Sequence, residues 1–127
     1  MKPGASEHEI AQLRHDLLTP INHILGFTEI QIEEAQEAGL IESVPVLMQI
    51  NAGGRSLLAI VKDEFDPSDL ARLSQRIESE ARPALGLARK LTGQLQMSAS
   101  QSMTGELDLV AGALENLLSL SQQMLRR

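Results

Sequence analysis

Residues 13–30 read LRHDLLTPINHILGFTEI. Four aliphatic residues recur in this stretch at spacings of four, four and three: Leu13, Leu17, Ile21 and Ile24. In a helix, which turns about 100° per residue, this spacing forms one apolar stripe. His15 would point roughly 160–200° away from that stripe. The stretch therefore predicts an amphipathic helix that packs by one face and exposes a histidine on the other.

Composition extends the helical interpretation to the whole chain. The 127 residues include only two aromatic side chains, Phe27 and Phe65, and no Trp or Tyr. So few aromatic residues disfavour a β-sandwich or a surface that stacks bases. The length suffices for the core of a four-helix bundle. We therefore predict an all-α protein, an antiparallel four-helix bundle made of two helical hairpins, residues 1–66 and 67–127.

Capping and turn residues divide the first half into two helices. Ser6 and Glu9 have the spacing of a capping box, so helix one is predicted to begin near position 7. It ends before Gly39, a C-cap residue. Ser43 is predicted to cap helix two, which runs to about position 65. The pair Gly53–Gly54 inside helix two has two open explanations, close helix packing or a groove that a partner approaches.

The second half contains signals for two more helices. Asp66 is an N-cap candidate and Pro67 suits a first helical position, so helix three is predicted to begin near Pro67 and to run to about Met97. The segment SASQSMTG, residues 98–105, is then a loop. Thr104 would cap helix four, which runs through Met124.

The second hairpin resembles a faded copy of the first. Pro83 follows Pro20 at an offset of 63 residues, and on that alignment Glu78 takes the place of His15. Four residues of helix two recur in helix four at an offset of 60: Ile50, Leu57, Leu58 and Ile60 match Val110, Leu117, Leu118 and Leu120. Amphipathic helices also imitate one another, which is the alternative explanation.

The exposed face of helix one carries groups suited to phosphoryl chemistry. Histidine has an unperturbed pKa of about 6.5, so a neutral imidazole is a nucleophile at physiological pH. Asp16 is placed to hold the ring tautomer or accept its proton, and Thr19, at i+4, could orient a water or a phosphoryl oxygen. Pro20 costs about 3 kcal/mol inside a helix. We interpret this kink beside an exposed histidine as serving a site.

Residues 15–20, HDLLTP, resemble the H-box of sensor histidine kinases. Three further residues match the same pattern: Ile24, Gly26 and Phe27. That box lies on the first helix of their dimerisation and histidine phosphotransfer (HisKA-type) domain, and the resemblance covers residues 7–66. It implies that His15 is the phosphoacceptor, that Asp16 activates it, and that Thr19 supports dephosphorylation of a response regulator.

The sequence contains no counterpart of a kinase ATP-binding lobe. It has neither a helix with asparagines four apart nor an Asp-x-Gly-x-Gly loop. Autophosphorylation by this chain alone is therefore not expected, because nothing in it would hold ATP and Mg²⁺. The resemblance implies instead that a separate histidine kinase or a receiver-domain aspartate supplies the phosphoryl group. A response-regulator receiver domain, with its own Mg²⁺, would accept it, and this chain would need no cofactor.

The expected docking face for that partner follows the helical row beyond His15. Four residues at i+3, i+7, i+8 and i+11 form it: Leu18, Asn22, His23 and Gly26. An exposed Leu18 would be its apolar anchor. No metal site is expected, because the chain has no cysteine and no histidine pair at i, i+4.

The resemblance also has a consequence for assembly. Hairpins of sensor kinases pair between two chains to form a four-helix bundle. Here the second hairpin could supply the missing half within one chain, giving a monomeric pseudo-dimer with a single active histidine. A homodimer is the alternative.

Charge and segment composition bear on location and partners. The net charge of −6 disfavours nucleic acid and anionic membranes as partners. The opening residues MKPGASEHE lack an apolar leader, and the run LLAIV at 57–61 is too short to span a bilayer. The absence of cysteine fits a reducing compartment. We expect a soluble, cytoplasmic protein.

Three alternatives stay open at this point. The chain could be a non-catalytic dimerisation or regulator-binding module with a vestigial H-box, in which His15 is an ordinary surface histidine. Thr19 could do no more than bond to the backbone near the proline. The chain could also be one part of a longer protein with catalytic or output domains elsewhere.

Overall fold

Four helices make up the bundle. The computed structural model describes residues 7–95 and 101–125, and its helices are α1 (Glu7–Glu37), α2 (Ser43–Asp63), α3 (Leu70–Leu95) and α4 (Gln101–Met124). Each helix packs against the next, and α4 returns to pack against α1. Short connections make neighbouring helices antiparallel. The predicted all-α antiparallel four-helix bundle of two hairpins is confirmed.

The core is aliphatic and draws on all four helices. The predicted stripe of α1, from Leu13 to Ile24, is buried. The other helices contribute large side chains that are shielded almost completely: Leu47, Ile50 and Leu57 from α2, Leu73, Ile77 and Leu91 from α3, and Leu107, Leu114 and Leu117 from α4. Each such side chain stabilises the fold by about 1.5–3 kcal/mol through burial. The stripe that predicted the fold is therefore also what holds it together.

The ends of the first hairpin's helices follow the predictions with one exception. Gly39 has a φ of +74° beyond the end of α1, a left-handed conformation that favours glycine. Ser43 is wrong as a side-chain cap: it is the first residue of α2 and is buried, while Glu42 precedes it without a capping hydrogen bond. The capping box at Ser6 lies outside the described residues.

The second hairpin's helices begin at other positions than predicted. Helix α3 begins at Leu70 rather than Pro67, because the Asp69 carboxylate accepts the Arg72 backbone N–H at 3.2 Å and so caps the helix. Helix α4 already includes Gln101, so Thr104 lies inside it and is not its cap. The predicted end of helix three at Met97 lies outside the described residues.

Polar contacts fix the connection between α2 and α3. Arg76 donates to both carboxylate oxygens of Glu64, at 2.9 and 3.0 Å, and these bonds hold the pKa of Glu64 below its usual value. Asp66 accepts bonds from both the backbone N–H and the hydroxyl of Ser68. Phe65 lies between these two anchored residues and packs half-buried against the core. The connection therefore holds an aromatic ring at this end of the bundle.

The two glycines of α2 have different surroundings, so each of the two open explanations fits one of them. A Cβ on Gly54 would lie 3.0 Å from Leu25 Cδ2 and 3.2 Å from Ile24 Cγ2, which is closer than ordinary contact. Gly54 is therefore where α1 and α2 approach each other closely. A Cβ on Gly53 would meet Ala84 Cβ at an ordinary 3.5 Å, beside a groove between α2 and α3.

These surroundings predict opposite outcomes for two matched substitutions. Gly53→Ala should raise the free energy of unfolding by up to about 1 kcal/mol, because alanine is the better helix former and has room. Gly54→Ala makes the same gain but must displace Ile24 and Leu25, and overpacking typically costs about 1–3 kcal/mol. Urea unfolding followed by circular dichroism should rank Gly53→Ala above Gly54→Ala. Equal stabilities would contradict the close approach at Gly54.

Buried positions recur between the hairpins at a single offset of 60 residues. In α1 and α3 the matching buried pairs are Leu13/Leu73, Leu17/Ile77, Ile21/Ala81, Ile24/Ala84, Thr28/Ala88, Gln31/Leu91 and Ala35/Leu95. In α2 and α4 they are Ser43/Met103, Leu47/Leu107, Ile50/Val110, Gly54/Leu114, Leu57/Leu117 and Val61/Ser121. The internal repeat stays a prediction, but its packing register is 60 throughout.

An offset of 60 changes which residue of the second hairpin corresponds to His15. The offset of 63 rested on the two prolines, yet Pro20 is buried and Pro83 is exposed. At an offset of 60 the position of His15 falls on Gln75, which is exposed as His15 is, rather than on the half-buried Glu78. Gln75 is therefore the residue that occupies the histidine's place in the second hairpin.

A few buried polar groups tie the helices together. Asn51 donates to the Thr28 hydroxyl at 2.8 Å, joining α2 to α1. Gln31 donates to the Met103 backbone carbonyl at 3.1 Å, which links the first hairpin to the second. Buried polar groups need such partners, because an unsatisfied one costs about 1–3 kcal/mol. These bonds therefore help to fix which helices pair.

We tested each described helix for the length and apolar composition that a membrane-spanning helix needs. Among the described helices α2 alone passes that test, by length and composition, with a mean hydropathy of 1.3. In the bundle its buried face, which includes Leu47, Ile50 and Leu57, packs into the core. The core helix of a soluble protein passes the same test.

Candidate functional site

His15 lies on the exposed face of α1, near the end of the bundle where α2 ends. Its neighbours on the stripe, Leu13 and Leu17, are buried. Helical periodicity thus carries the imidazole away from the core and towards solvent. A reactant has direct access to the ring.

A shallow groove of about 400 Å³ lies beside the imidazole. Its apolar lining comes from α1 and from the connection after α2: Ile10, Ala11, Leu18 and Phe65. Glu7, Arg14 and His15 supply its polar groups. The groove therefore combines an apolar floor, one cation and one potential nucleophile.

Arg14 is a site residue that the sequence reasoning missed. Its Nη2 donates to the Lys62 backbone carbonyl at 2.9 Å, and its guanidinium lies 5.8 Å from the centre of the Phe65 ring. The last carbonyls of a helix lack partners within it, so an arginine there fills an open acceptor. The ring adds a cation–π contact. These partners lie about 50 positions away along the chain, so spacing within one helix gave no signal for them.

Asp16 is engaged elsewhere than on the imidazole. Its Oδ1 accepts a hydrogen bond from Gln12 Nε2 at 2.8 Å, one helical turn earlier. Across the described residues, no hydrogen bond joins the two side chains. Asp16 and His15 are therefore neighbours in the sequence, but their side chains are not hydrogen-bonded to each other.

Thr19 bonds to the backbone of the histidine itself. Its hydroxyl donates to the His15 carbonyl at 3.0 Å, and its side chain is exposed. Pro20 has no N–H, so the Asp16 carbonyl receives no intrahelical bond from position 20. Helix α1 nevertheless continues through the proline. The Thr19 oxygen keeps a lone pair for a further donor, on the same face as the imidazole.

The predicted docking face is only partly as expected. Leu18 is half-buried and packs against the core, so it is wrong as a fully exposed anchor, although it lines the groove beside His15. Asn22, His23 and Gly26 are exposed further along α1. His23 lies against Phe27, with ring centroids 6.2 Å apart. Leu18 and His15 thus share one groove, and the other three residues lie one to three turns beyond it.

A metal centre has no donor set in the described parts of the chain. In residues 7–95 and 101–125, no group of three or more His, Cys, Asp or Glu side chains converges. The polar groups around His15 are a carboxylate, an arginine and a hydroxyl from separate helical turns.

No protein-family model matches the chain, and no curated protein or solved structure matches it either. Function is therefore inferred from the residues HDLLTP at positions 15–20 and from the geometry around His15.

Proposed function

We propose that the protein is a histidine phosphotransfer module of a two-component phosphorelay, resembling the HisKA-type domain without its ATP-binding lobe. The observation that carries this proposal is the solvent-facing His15 within the HDLLTP pattern, beside an open groove. A neutral imidazole in such a place can meet a phosphorylated partner directly.

The transfer has two half-reactions. A ring nitrogen of His15 attacks phosphorus with its lone pair, a P–N bond forms, and the bond to the donor oxygen breaks with its electrons going to the donor. The other ring nitrogen then releases its proton to solvent. In the second half-reaction a receiver aspartate attacks the same phosphorus, and the P–N bond breaks with its electrons going to the ring nitrogen. The ring takes up a proton from solvent, which restores the neutral imidazole, and an acyl phosphate forms on the receiver.

The partner supplies what this chain lacks. A receiver domain would bring the aspartate and its own Mg²⁺, and a separate kinase or a second receiver would bring the phosphoryl group. Asp16 would act on the ring through water, because Gln12 holds its carboxylate. Thr19 would orient a water in any phosphatase reaction. A cytoplasmic location fits this role, since receiver domains and ATP-dependent kinases work there.

Transfer from a receiver domain tests the proposal. A panel of receiver domains, each phosphorylated on its aspartate with radiolabelled phosphate, is mixed with the parent chain, with His15→Ala and with His8→Ala. His8 is an exposed histidine in the first turn of α1 and serves as the matched control. We expect label on the parent and on His8→Ala and none on His15→Ala, because only position 15 carries the nucleophile.

Two outcomes would remove the proposal. Equal labelling of His15→Ala and the parent would show that another group accepts phosphate. Tight binding of a receiver with no label on any variant would favour the alternative, a regulator-binding module with a vestigial H-box.

A further inference from the structure

The groove beside His15 contains the guanidinium of Arg14, to which the transfer reaction proposed above assigns no role. Arg14 and His15 are consecutive residues of α1, and both line this groove. We infer that Arg14 is a phosphoryl-binding residue, whose guanidinium holds the phosphoryl group as it joins His15. This inference rests on the function proposed above.

The guanidinium is held in place but not neutralised. Its Nη2 bonds to the Lys62 carbonyl and its plane lies near the Phe65 ring, so part of its conformational freedom is already lost. Within the described residues no carboxylate forms an ion pair with it. Three other arginines of the bundle do have such partners: Arg76 with Glu64, Arg82 with Glu78 and Arg89 with Glu115. Arg14 therefore keeps N–H donors available for an incoming anion.

The charge around His15 makes such a cation necessary. Glu7 lines the same groove, Asp16 is the next residue, and the chain carries a net charge of −6. A phosphoryl group brings close to two further negative charges, which nearby carboxylates repel. A guanidinium offsets that repulsion, and its planar fork matches phosphoryl oxygens.

The second hairpin has a different residue at the position that corresponds to Arg14. At the offset of 60 that the buried residues share, Arg14 corresponds to Ser74. Ser74 is buried and hydrogen-bonded to Ser121 at 2.7 Å. Helix α3 packs between its neighbours with that serine. The arginine thus occurs only in the hairpin that has a histidine at the next position.

The test uses a small phosphodonor, so that no docking partner affects the rate. Phosphoramidate donates its phosphoryl group as a ring nitrogen of His15 attacks phosphorus; the donor's P–N bond breaks and ammonia leaves. Phosphohistidine formation is followed by intact mass, and assigned to His15 by peptide mapping at neutral pH, in the parent, Arg14→Gln, Arg14→Lys and Arg55→Gln. Arg55 is an exposed arginine of α2 away from the groove, and its variant controls for the loss of one charge.

We expect Arg14→Gln to be phosphorylated about tenfold more slowly, the size of one charge-assisted hydrogen bond. Arg14→Lys should be intermediate, because it keeps the charge without the fork. Arg55→Gln should match the parent. The lysine variant decides the matter if Arg14→Gln does not fold.

Each contrary result has a distinct meaning. Parental rates for Arg14→Gln and Arg14→Lys, with His15 phosphorylated, would overturn the role of Arg14 and leave the proposed function standing. A parent chain that takes up no phosphate on His15 would overturn the proposed function, and this inference with it.

Discussion

A chain cut after Asp66 is expected to lose the stable fold of the four-helix bundle. In the bundle, α1 packs against α4 as well as α2, and α2 packs against α3 as well as α1. Removal of α3 and α4 would expose half of the buried face of the first hairpin, and with it the Gln31 side chain that bonds to Met103. A core of so few residues rarely supplies more than about 3–5 kcal/mol.

The expected behaviour depends on concentration. At low micromolar concentration the 1–66 hairpin should show weak helicity and no cooperative unfolding transition. At higher concentration it should become helical as two copies pair their apolar faces, whereas the intact chain should sediment at its monomer mass of 13.8 kDa throughout.

Complementation supplies the control for that truncation. Adding a 67–127 peptide to the 1–66 hairpin should restore helicity at a one-to-one ratio, because the two hairpins bury each other's cores. A monomeric 1–66 hairpin with a cooperative transition and full helicity would contradict the view that the second hairpin completes the bundle.

The double variant His15→Gln, Gln75→His is expected to take up essentially no phosphate. It moves the histidine to the position that Gln75 holds in α3, which is exposed in the same way as position 15. The surroundings differ: the residues that correspond to Arg14 and Leu18 are Ser74 and Glu78. The Glu78 carboxylate repels the donor, its ion pair with Arg82 offsets only part of that repulsion, and position 74 has a serine in place of the arginine. Losses of about 100-fold or more are typical when a preorganised electrostatic partner is missing.

Comparing the double variant with the two single variants separates the effect of histidine exposure from the effect of the surrounding residues. With phosphoramidate as the donor, the single variant Gln75→His should acquire one phosphoryl group, on His15. The single variant His15→Gln should acquire none. Peptide mapping at neutral pH locates the group. If the double variant reacted as fast as the parent, exposure of a histidine would be sufficient and the groove would have no chemical role.

Much of the fold could be predicted from the sequence because it depends on local periodicity. The spacing from Leu13 to Ile24 determined both the buried stripe and the exposed position of His15, and Gly39 marked a real helix end. The error at the start of α3 came from competition between nearby capping groups. Asp69, not Asp66, caps α3, and that choice depends on the Ser68 turn between them.

The candidate site could be predicted only in part, since its geometry joins distant segments. The histidine follows from helical periodicity, but Arg14 acquires its contacts from Lys62 and Phe65 after the hairpin has folded. The two prolines suggested an offset of 63 between the hairpins, whereas the buried residues share an offset of 60, because a proline in a sequence does not reveal which side of a helix is buried. The solvent exposure of each residue in the structure identifies the buried side directly.

Direct location of the phosphoryl group decides whether His15 is a phosphoacceptor. The parent chain is incubated with a phosphorylated receiver domain, digested at neutral pH and analysed by mass spectrometry. The proposed function predicts one acid-labile phosphoryl group, on the imidazole of His15. Phosphate on another residue, or a fully folded chain that remains unmodified while its phosphorylated partner binds, would contradict it.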